Sequence, residues 1–103
     1  MSEHILRWEK AVAAQPGNEL ARFSLGKALI DAGRFAEARG HLEQALARKP
    51  DWMVVQILVG RCHLAEGNPD LAREAFRRGH ALAVAQHHEG PQAEMEALLA
   101  DLG

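Results

Sequence analysis

Apolar residues recur three and four residues apart along almost the whole chain, which is the spacing of helices with one buried face. In the first such segment Ile5, Trp8 and Val12 fall on a common face. Near the end of the chain, Met95 and Leu99 share another. The spacing predicts an all-α chain of about six helices, at about 3–14, 19–32, 35–49, 52–65, 69–88 and 92–102.

Residues suited to helix ends support these boundaries. Ser2, Asn18 and Asp51 each precede a predicted helix and are residue types whose side chains cap free backbone amides. Gly33 follows the second helix, where a left-handed backbone is common and glycine is favoured. Gly90-Pro91 is predicted to stop the fifth helix, because Val84 stands where the earlier units have Pro16 and Pro50.

The pattern repeats at a fixed offset of 34 residues. Gly26 recurs as Gly60, and Gly33 recurs as Gly67. Further pairs at this offset are Trp8 and Leu42, Leu25 and Val59, Ala38 and Ala72, Leu42 and Phe76, and Ala45 and Gly79. The β-branched run 54–59 alone could be a buried strand, but it takes the register of 20–25 and is therefore predicted to be helical.

These units resemble the tetratricopeptide repeat, whose pattern is W-x-x-L-G-x-x-Y, then A-x-x-x-F, then P, with a period of 34. Arg22 and Gln56 replace its tryptophan, and Leu29 and His63 replace its tyrosine, whereas the small-residue positions are kept. The resemblance implies a right-handed α-solenoid of antiparallel helix pairs. It divides a single domain, 1–103, into a half repeat at about 2–16, repeats at about 19–52 and 53–86, and a C-terminal helix at about 91–102.

Composition narrows the class of partner. With 12 Lys and Arg against 14 Asp and Glu, nothing indicates a nucleic-acid surface. The longest apolar stretch, 53–59, is far shorter than the roughly 20 residues that cross a bilayer, so no membrane association is expected. Cys62 is the only cysteine and can form no internal disulfide. We therefore expect a cytoplasmic protein.

In proteins of this family the first helix of each pair lines a groove that holds a partner's peptide or helix. The resemblance places the partner-binding groove here at Leu20, Phe23, Lys27, Ile30, Trp52, Val54, Ile57, Arg61 and Leu64, with Asp31 and Ala65 beside them. Most of these side chains are apolar. A contiguous apolar surface of that size is normally covered by something.

Several interpretations of these residues remain open. Lys27 and Arg61 can be part of an anion site or can form ordinary ion pairs with Asp31 or a neighbour. The carboxylate clamp by which some family members bind chaperone tails is disfavoured, because no asparagine stands among the groove positions. Trp52 can anchor a partner or pack on the preceding hairpin. The helix at 92–102 can cap the last hairpin or fold into the groove.

No catalytic arrangement is evident. His80, His87 and His88 are close in sequence, but no His-Glu-x-x-His motif or second cysteine accompanies them. A metal-dependent enzyme is therefore the weakest hypothesis, and no cofactor or metal is expected. The sequence predicts a non-catalytic module that binds a protein or peptide partner, with homodimerisation through the groove or the last helix as the alternative.

Overall fold

A computed structural model describes residues 3–103, and in that range the chain forms six α-helices and no strand. The predicted cap Ser2 lies outside the described residues. The helices are α1 (Glu3–Ala14), α2 (Glu19–Asp31), α3 (Phe35–Arg48), α4 (Met53–Ala65), α5 (Pro69–Ala85) and α6 (Glu89–Leu102). The prediction that the run 54–59 is helical is thereby confirmed.

Each helix packs against the next one along the chain, so that α2 and α3 form one hairpin and α4 and α5 the next. The described part of the chain measures 39 × 27 × 19 Å. This elongated stack of antiparallel pairs confirms the predicted all-α solenoid.

The predicted residues begin the helix as expected at α2 and α5 but not at α4. The Oδ1 of Asn18 accepts a hydrogen bond from the Ala21 amide at 3.1 Å, as predicted for the start of α2. Pro69 is the first residue of α5, where its missing amide hydrogen is of no consequence. Asp51 was wrongly predicted to cap α4: the cap residue is Trp52, and no side chain bonds to the first amides there.

The turns inside the two hairpins are copies of one another. Gly33 and Gly67 have φ of 77° and 81°, in the left-handed region that glycine enters without a steric penalty. At each turn the glycine amide bonds the carbonyl three residues back, and the following amide bonds the carbonyl five residues back. These hydrogen bonds satisfy the last carbonyls of α2 and α4.

The same turn recurs after α5, in a place that the sequence did not indicate. His87 has φ of 60°, and the amides of His87 and His88 bond the carbonyls of Val84 and Ala83 at 3.2 and 2.9 Å. Helix α5 therefore ends at Ala85 rather than near His88. Gly90-Pro91 does not stop it but lies in the first turn of α6, where a proline is tolerated because the first amides have no helical partner.

Replacing His87 with glycine is expected to raise the free energy of unfolding by about 0.5–1 kcal/mol, because it removes the clash that a Cβ makes at positive φ. The melting temperature should rise by roughly 3–6 °C. The matched control is Gly67→Ala, which introduces that strain at an equivalent turn with no other atom within 4 Å of the new Cβ, and should lower stability. A destabilised His87→Gly protein would contradict the equivalence of the two turns.

The interior of each hairpin is built on a glycine facing a large side chain. A Cβ added to Gly26 would lie 2.7 Å from Leu42, and one added to Gly60 would lie 2.5 Å from Phe76. Leu42 and Phe76 are both fully buried. The backbones of paired helices approach closely here because no side chain separates them.

Trp8 occupies the position equivalent to Leu42 and Phe76 but is only partly buried, although the sequence predicted it as core. In the two full hairpins this side chain is covered by the glycine of the preceding helix. Among the described residues, no helix precedes α1 to cover Trp8 in that way.

His41 of α3 is half-buried and contacts α2. Its Nδ1 lies 3.0 Å from a guanidinium nitrogen of Arg22. Burial, followed by the charge of Arg22, lowers the pKa of His41 below its usual value of 6.5. The folded chain therefore disfavours the charged imidazole.

Because the pKa of His41 is lower in the folded than in the unfolded chain, the unfolded chain binds this proton first as the pH falls. The stability that the neutral ring provides is complete above pH 6.5 and should decrease below it. Melting temperatures measured between pH 7.5 and 5.5 should fall more steeply for the wild type than for His41→Leu. Equal slopes would show that His41 titrates alike in both states.

Candidate partner-binding face

One side of α2 and one side of α4 carry most of the predicted groove. We call it the groove face and define it as Leu20, Phe23, Lys27, Ile30, Trp52, Val54, Arg61 and Leu64. The four residues of α2 are three or four apart, and Val54, Arg61 and Leu64 of α4 are seven and three apart, so each set shares one side of its helix. Trp52 is the residue that precedes α4. The two helices meet where the rings of Phe23 and Trp52 lie 4.8 Å apart, centroid to centroid, at an angle of 45°.

The groove face exposes apolar side chains to solvent. Leu20 is 64% exposed, Val54 is 45% exposed and Leu64 is 38% exposed. Phe23 and Ile30 are half-buried against the first core cluster. These three exposed side chains, which we call the exposed row, can bury further surface against a partner.

Ile57 does not belong to this surface, although the sequence placed it in the groove. Only 8% of Ile57 is exposed, and it packs in the second core cluster with Phe76 and Met95. It also approaches the backbone of α5, since a Cβ on Gly79 would lie 3.0 Å from it. The prediction was wrong because α6 covers Ile57 just as Trp52 covers its register equivalent, Phe23.

Helix α6 packs on α5 and closes the end of the stack. Met95 is fully buried, while Leu98, Leu99 and Leu102 are partly buried in the same cluster. Arg61 of α4 forms an ion pair of 2.7 Å with Glu94 of α6. Helix α6 therefore caps the last hairpin and borders the groove face, and it leaves Leu20 and Val54 uncovered.

The aromatic and basic residues of the groove face are joined in pairs. Trp52 is half-buried beside Phe23, which supports the interpretation that it packs on the preceding hairpin. The Nζ of Lys27 lies 5.4 Å from the Phe23 ring centroid, and the Nζ of Lys49 lies 5.2 Å from that of Trp52. Cations over aromatic rings are attracted by their electron-rich faces.

Lys27 and Arg61 do not form a common anion site. Arg61 is paired with Glu94, which compensates its charge. Within residues 3–103, Lys27 has no ion pair with Asp31 or with another neighbour. Lys27 therefore places a single ammonium group beside the apolar side chains of the groove face.

The histidines and the cysteine are placed in separate environments. His80 bonds Glu96 at 2.9 Å, and this hydrogen bond lowers the pKa of the Glu96 carboxyl. Burial raises the pKa of the Cys62 thiol to about 11, so it is protonated at neutral pH. In the described range, no three His, Cys, Asp or Glu side chains converge as a metal site. No helix in that range is long and apolar enough to cross a membrane.

Sequence comparison finds the same repeat. A profile of the tetratricopeptide repeat matches residues 5–52 and 23–83. A TPR repeat-containing protein of Pseudomonas aeruginosa is 38% identical over 88 residues, which covers 85% of this chain and 82% of that protein. The Hsp70-Hsp90 organizing protein of Triticum aestivum is 30% identical over 81% of this chain, but the match spans only 14% of that much longer protein.

Solved structures show the same architecture. A protein from Bordetella parapertussis superposes with a TM-score of 0.84 at 29% identity, over 99% of this chain and 89% of that one. PcrH in complex with the chaperone binding region of PopD superposes with a TM-score of 0.88 over 95% of this chain and 74% of that one. The identity to PcrH is 21%, so this likeness concerns the fold alone.

Proposed function

This chain belongs to the tetratricopeptide repeat family, and from that premise we propose that it is a non-catalytic module holding an apolar helix or extended peptide on its groove face. The observation that carries the proposal is the exposure of Leu20, Val54 and Leu64 in one row across α2 and α4. Burying apolar surface is favourable by roughly 25 cal/mol per Å². These three side chains would supply the contact area.

The residues around the row define the partner's chemistry further. The rings of Phe23 and Trp52 form a packed floor, and Lys27 places its ammonium group over the Phe23 ring. A partner would therefore present apolar side chains to the row, on one helical stripe or on alternate residues of an extended strand. A partner carboxylate next to that stripe would pair with Lys27.

The name of one relative and the solved complex of one structural neighbour each refer to other proteins. The wheat relative is a chaperone-organizing protein, and PcrH was solved with a segment of PopD bound. These names support a protein or peptide as the partner class. We include in the proposal a cytoplasmic setting, which the lone buried Cys62 suits.

The groove face can be tested by affinity capture with two double variants. Leu20→Asp with Val54→Asp places two carboxylates in the exposed row and is expected to weaken retention of any specific partner at least tenfold. The matched control is Leu6→Asp with Val84→Asp, which changes two apolar residues that are 43% and 46% exposed and lie outside the groove face. Captured proteins would be identified and remeasured with purified components.

Equal loss in both double variants would show nonspecific adhesion, and retention by both would show that the partner binds elsewhere. Either result would overturn the proposal.

A second copy of this chain is the alternative occupant of the same face, favoured by the exposed row itself. Sedimentation equilibrium distinguishes the two cases. Dimers that dissociate in the Leu20→Asp, Val54→Asp variant would support self-assembly. A protein that is monomeric at all concentrations would exclude self-assembly, and the partner on the groove face would then be a different protein.

A further inference from the structure

A second groove, of about 800 Å³, lies between α3 and α5 on the far side of α4 from the groove face. Gln56, Val59 and His63 form its floor. At 3.6 residues per turn, these three residues fall on the side of α4 opposite to Val54, Arg61 and Leu64. We call this the α3–α5 groove.

The repeat supplies an internal comparison for this groove. Shifted back by 34 residues, Ala75 on its wall corresponds to His41, and Gln56 corresponds to Arg22. Between α2 and α3 the imidazole of His41 lies against Arg22 and is partly buried. Ala75 has no ring to place there, and its carbonyl accepts a hydrogen bond of 3.3 Å from the Gln56 amide. Position 75 therefore provides no planar ring where the preceding repeat has that of His41.

His63 gives the floor of the groove an unsatisfied polar group. It is 9% exposed, and its Nδ1 is buried with no hydrogen-bond partner. The register equivalent, Leu29, is an ordinary core leucine that is 1% exposed. A buried polar group without a partner is unfavourable, so a ligand that hydrogen-bonds this imidazole gains more than an apolar one. A half-turn of the ring about the Cβ–Cγ bond exchanges which edge faces the groove.

The charges on the rim are already paired. Arg39 bonds both carboxylate oxygens of Glu66 at 2.7 and 3.0 Å and reaches Glu43 at 2.7 Å. The hydrogen bonds from Arg39 lower the pKa of the Glu66 carboxyl, which keeps it ionised. On the other wall, Arg78 pairs with Glu74 at 2.7 Å. The charged residues that line the groove are two arginines and two glutamates, whose charges sum to zero, and the further carboxylate of Glu66 shares Arg39. An anionic ligand is therefore disfavoured, and an uncharged one fits this groove.

The groove is longer than a single ring. Its wall runs along α3 from Arg39 to Ala47, which at 1.5 Å per residue is about 12 Å, and continues beyond the end of the helix to Pro50. An extended chain rises about 3.3 Å per residue, so roughly five residues would lie along it. Leu46 and the 49% exposed Leu71 offer apolar contacts along this length.

We propose that the α3–α5 groove is a second peptide site, which takes an uncharged segment of a partner protein through a tyrosine side chain. The ring lies against Ala75, in the place that His41 fills in the preceding repeat, and the hydroxyl hydrogen-bonds the imidazole of His63. This site is distinct from the groove face. A peptide bound there leaves Leu20 and Val54 free.

The test uses the full chain, labelled with ¹⁵N, and the capped pentapeptide acetyl-Ala-Ala-Tyr-Ala-Ala-amide at millimolar concentration. Saturable amide shifts are expected at Val59, His63 and Ala75. The phenylalanine analogue, which lacks the hydroxyl, should bind roughly 3–10-fold more weakly. Free p-cresol should bind at least tenfold more weakly than the tyrosine peptide, because it makes none of the contacts along α3.

Two variants copy residues that the chain itself uses in the preceding repeat. Ala75→His places a ring in the groove and should abolish the shifts. His63→Leu should keep the fold and make the tyrosine and phenylalanine peptides bind equally. The Leu20→Asp, Val54→Asp variant should bind the tyrosine peptide as the wild type does, which separates this proposal from that on the groove face.

Shifts that are absent or unsaturable, that map to the groove face, or that survive Ala75→His would overturn the proposal. So would equal binding of the tyrosine and phenylalanine peptides to the wild type, or binding of p-cresol as tight as that of the peptide. If Ala75→His fails to fold, as judged by its circular dichroism, the His63→Leu comparison decides alone.

Discussion

Gly60→Leu is expected to lower the free energy of unfolding by about 1–3 kcal/mol or more and the melting temperature by roughly 5–20 °C. The reason is the contact between α4 and α5. A Cβ at position 60 would lie 2.5 and 2.6 Å from two ring carbons of Phe76, and Phe76 is fully buried. Neither helix can move without disturbing its other neighbour, so the added side chain must separate the pair.

The matched control is Gly40→Leu. Gly40 also lies inside a helix, but a Cβ there meets no atom within 4 Å. Because leucine is a better helix former than glycine, this variant should be stabilised by about 0.5 kcal/mol. Thermal denaturation of both proteins checks the pair of expectations. A Gly60→Leu protein as stable as Gly40→Leu would contradict the assigned helix contact.

Phe76→Ala is expected to lower the free energy of unfolding by about 3–5 kcal/mol, because it removes most of a large aromatic side chain from the core. Phe76 is among the largest fully buried side chains and lies in the second core cluster with Ile57 and Met95. Its removal leaves a cavity between α4, α5 and α6. With small domains stable by about 5–15 kcal/mol, urea titration should show a strongly reduced midpoint.

A double-mutant cycle connects the two sites. Gly60→Ala alone overpacks the Phe76 ring, whereas in the Phe76→Ala background the new methyl group meets open space and favours the helix. The two changes should therefore be non-additive by about 1 kcal/mol or more, with the double variant more stable than the sum of the single effects indicates. Additive effects would show that the two residues do not touch.

Much of the fold follows from one physical regularity in the sequence. Only glycine permits the close approach seen at Gly26 and Gly60, and each is met by a large residue 16 positions later, Leu42 or Phe76. Because the spacing between the glycine and the large residue is the same in both hairpins, the sequence specifies the same helix contact twice. The turns could be predicted as well, because glycine stands at positions 33 and 67, where the backbone enters the left-handed region.

The end of α5 could not be located this way. His87 takes the left-handed conformation without being glycine, so the residue type carries no sign of the turn. Gly90-Pro91 was predicted to end α5, but proline is also favoured in the first turn of a helix, and it lies there in α6. In the structure α6 begins at Glu89 and packs on α5, so Gly90 and Pro91 belong to α6.

Register also assigned Ile57 to the groove face, and the structure places it in the core for a single reason. Register gives the side of a helix on which a residue lies but not what covers that side. Ile57 is covered by Met95 of α6, and Arg61 pairs with Glu94 of the same helix. These are contacts of a helix that falls outside the repeat pattern. The α3–α5 groove, by contrast, had a signal in the sequence: alanine at position 75 where the preceding repeat has His41.

The central claim is that the exposed row on α2 and α4 holds a partner. Its most direct test is an amide chemical-shift map of the full chain, titrated with the binding segment of a protein that the wild type captures and the Leu20→Asp, Val54→Asp variant does not. The largest changes should lie at Leu20, Lys27, Val54 and Leu64, and they should vanish in that variant. Changes confined to the outer faces of α3 and α5, with the row undisturbed, would contradict the claim.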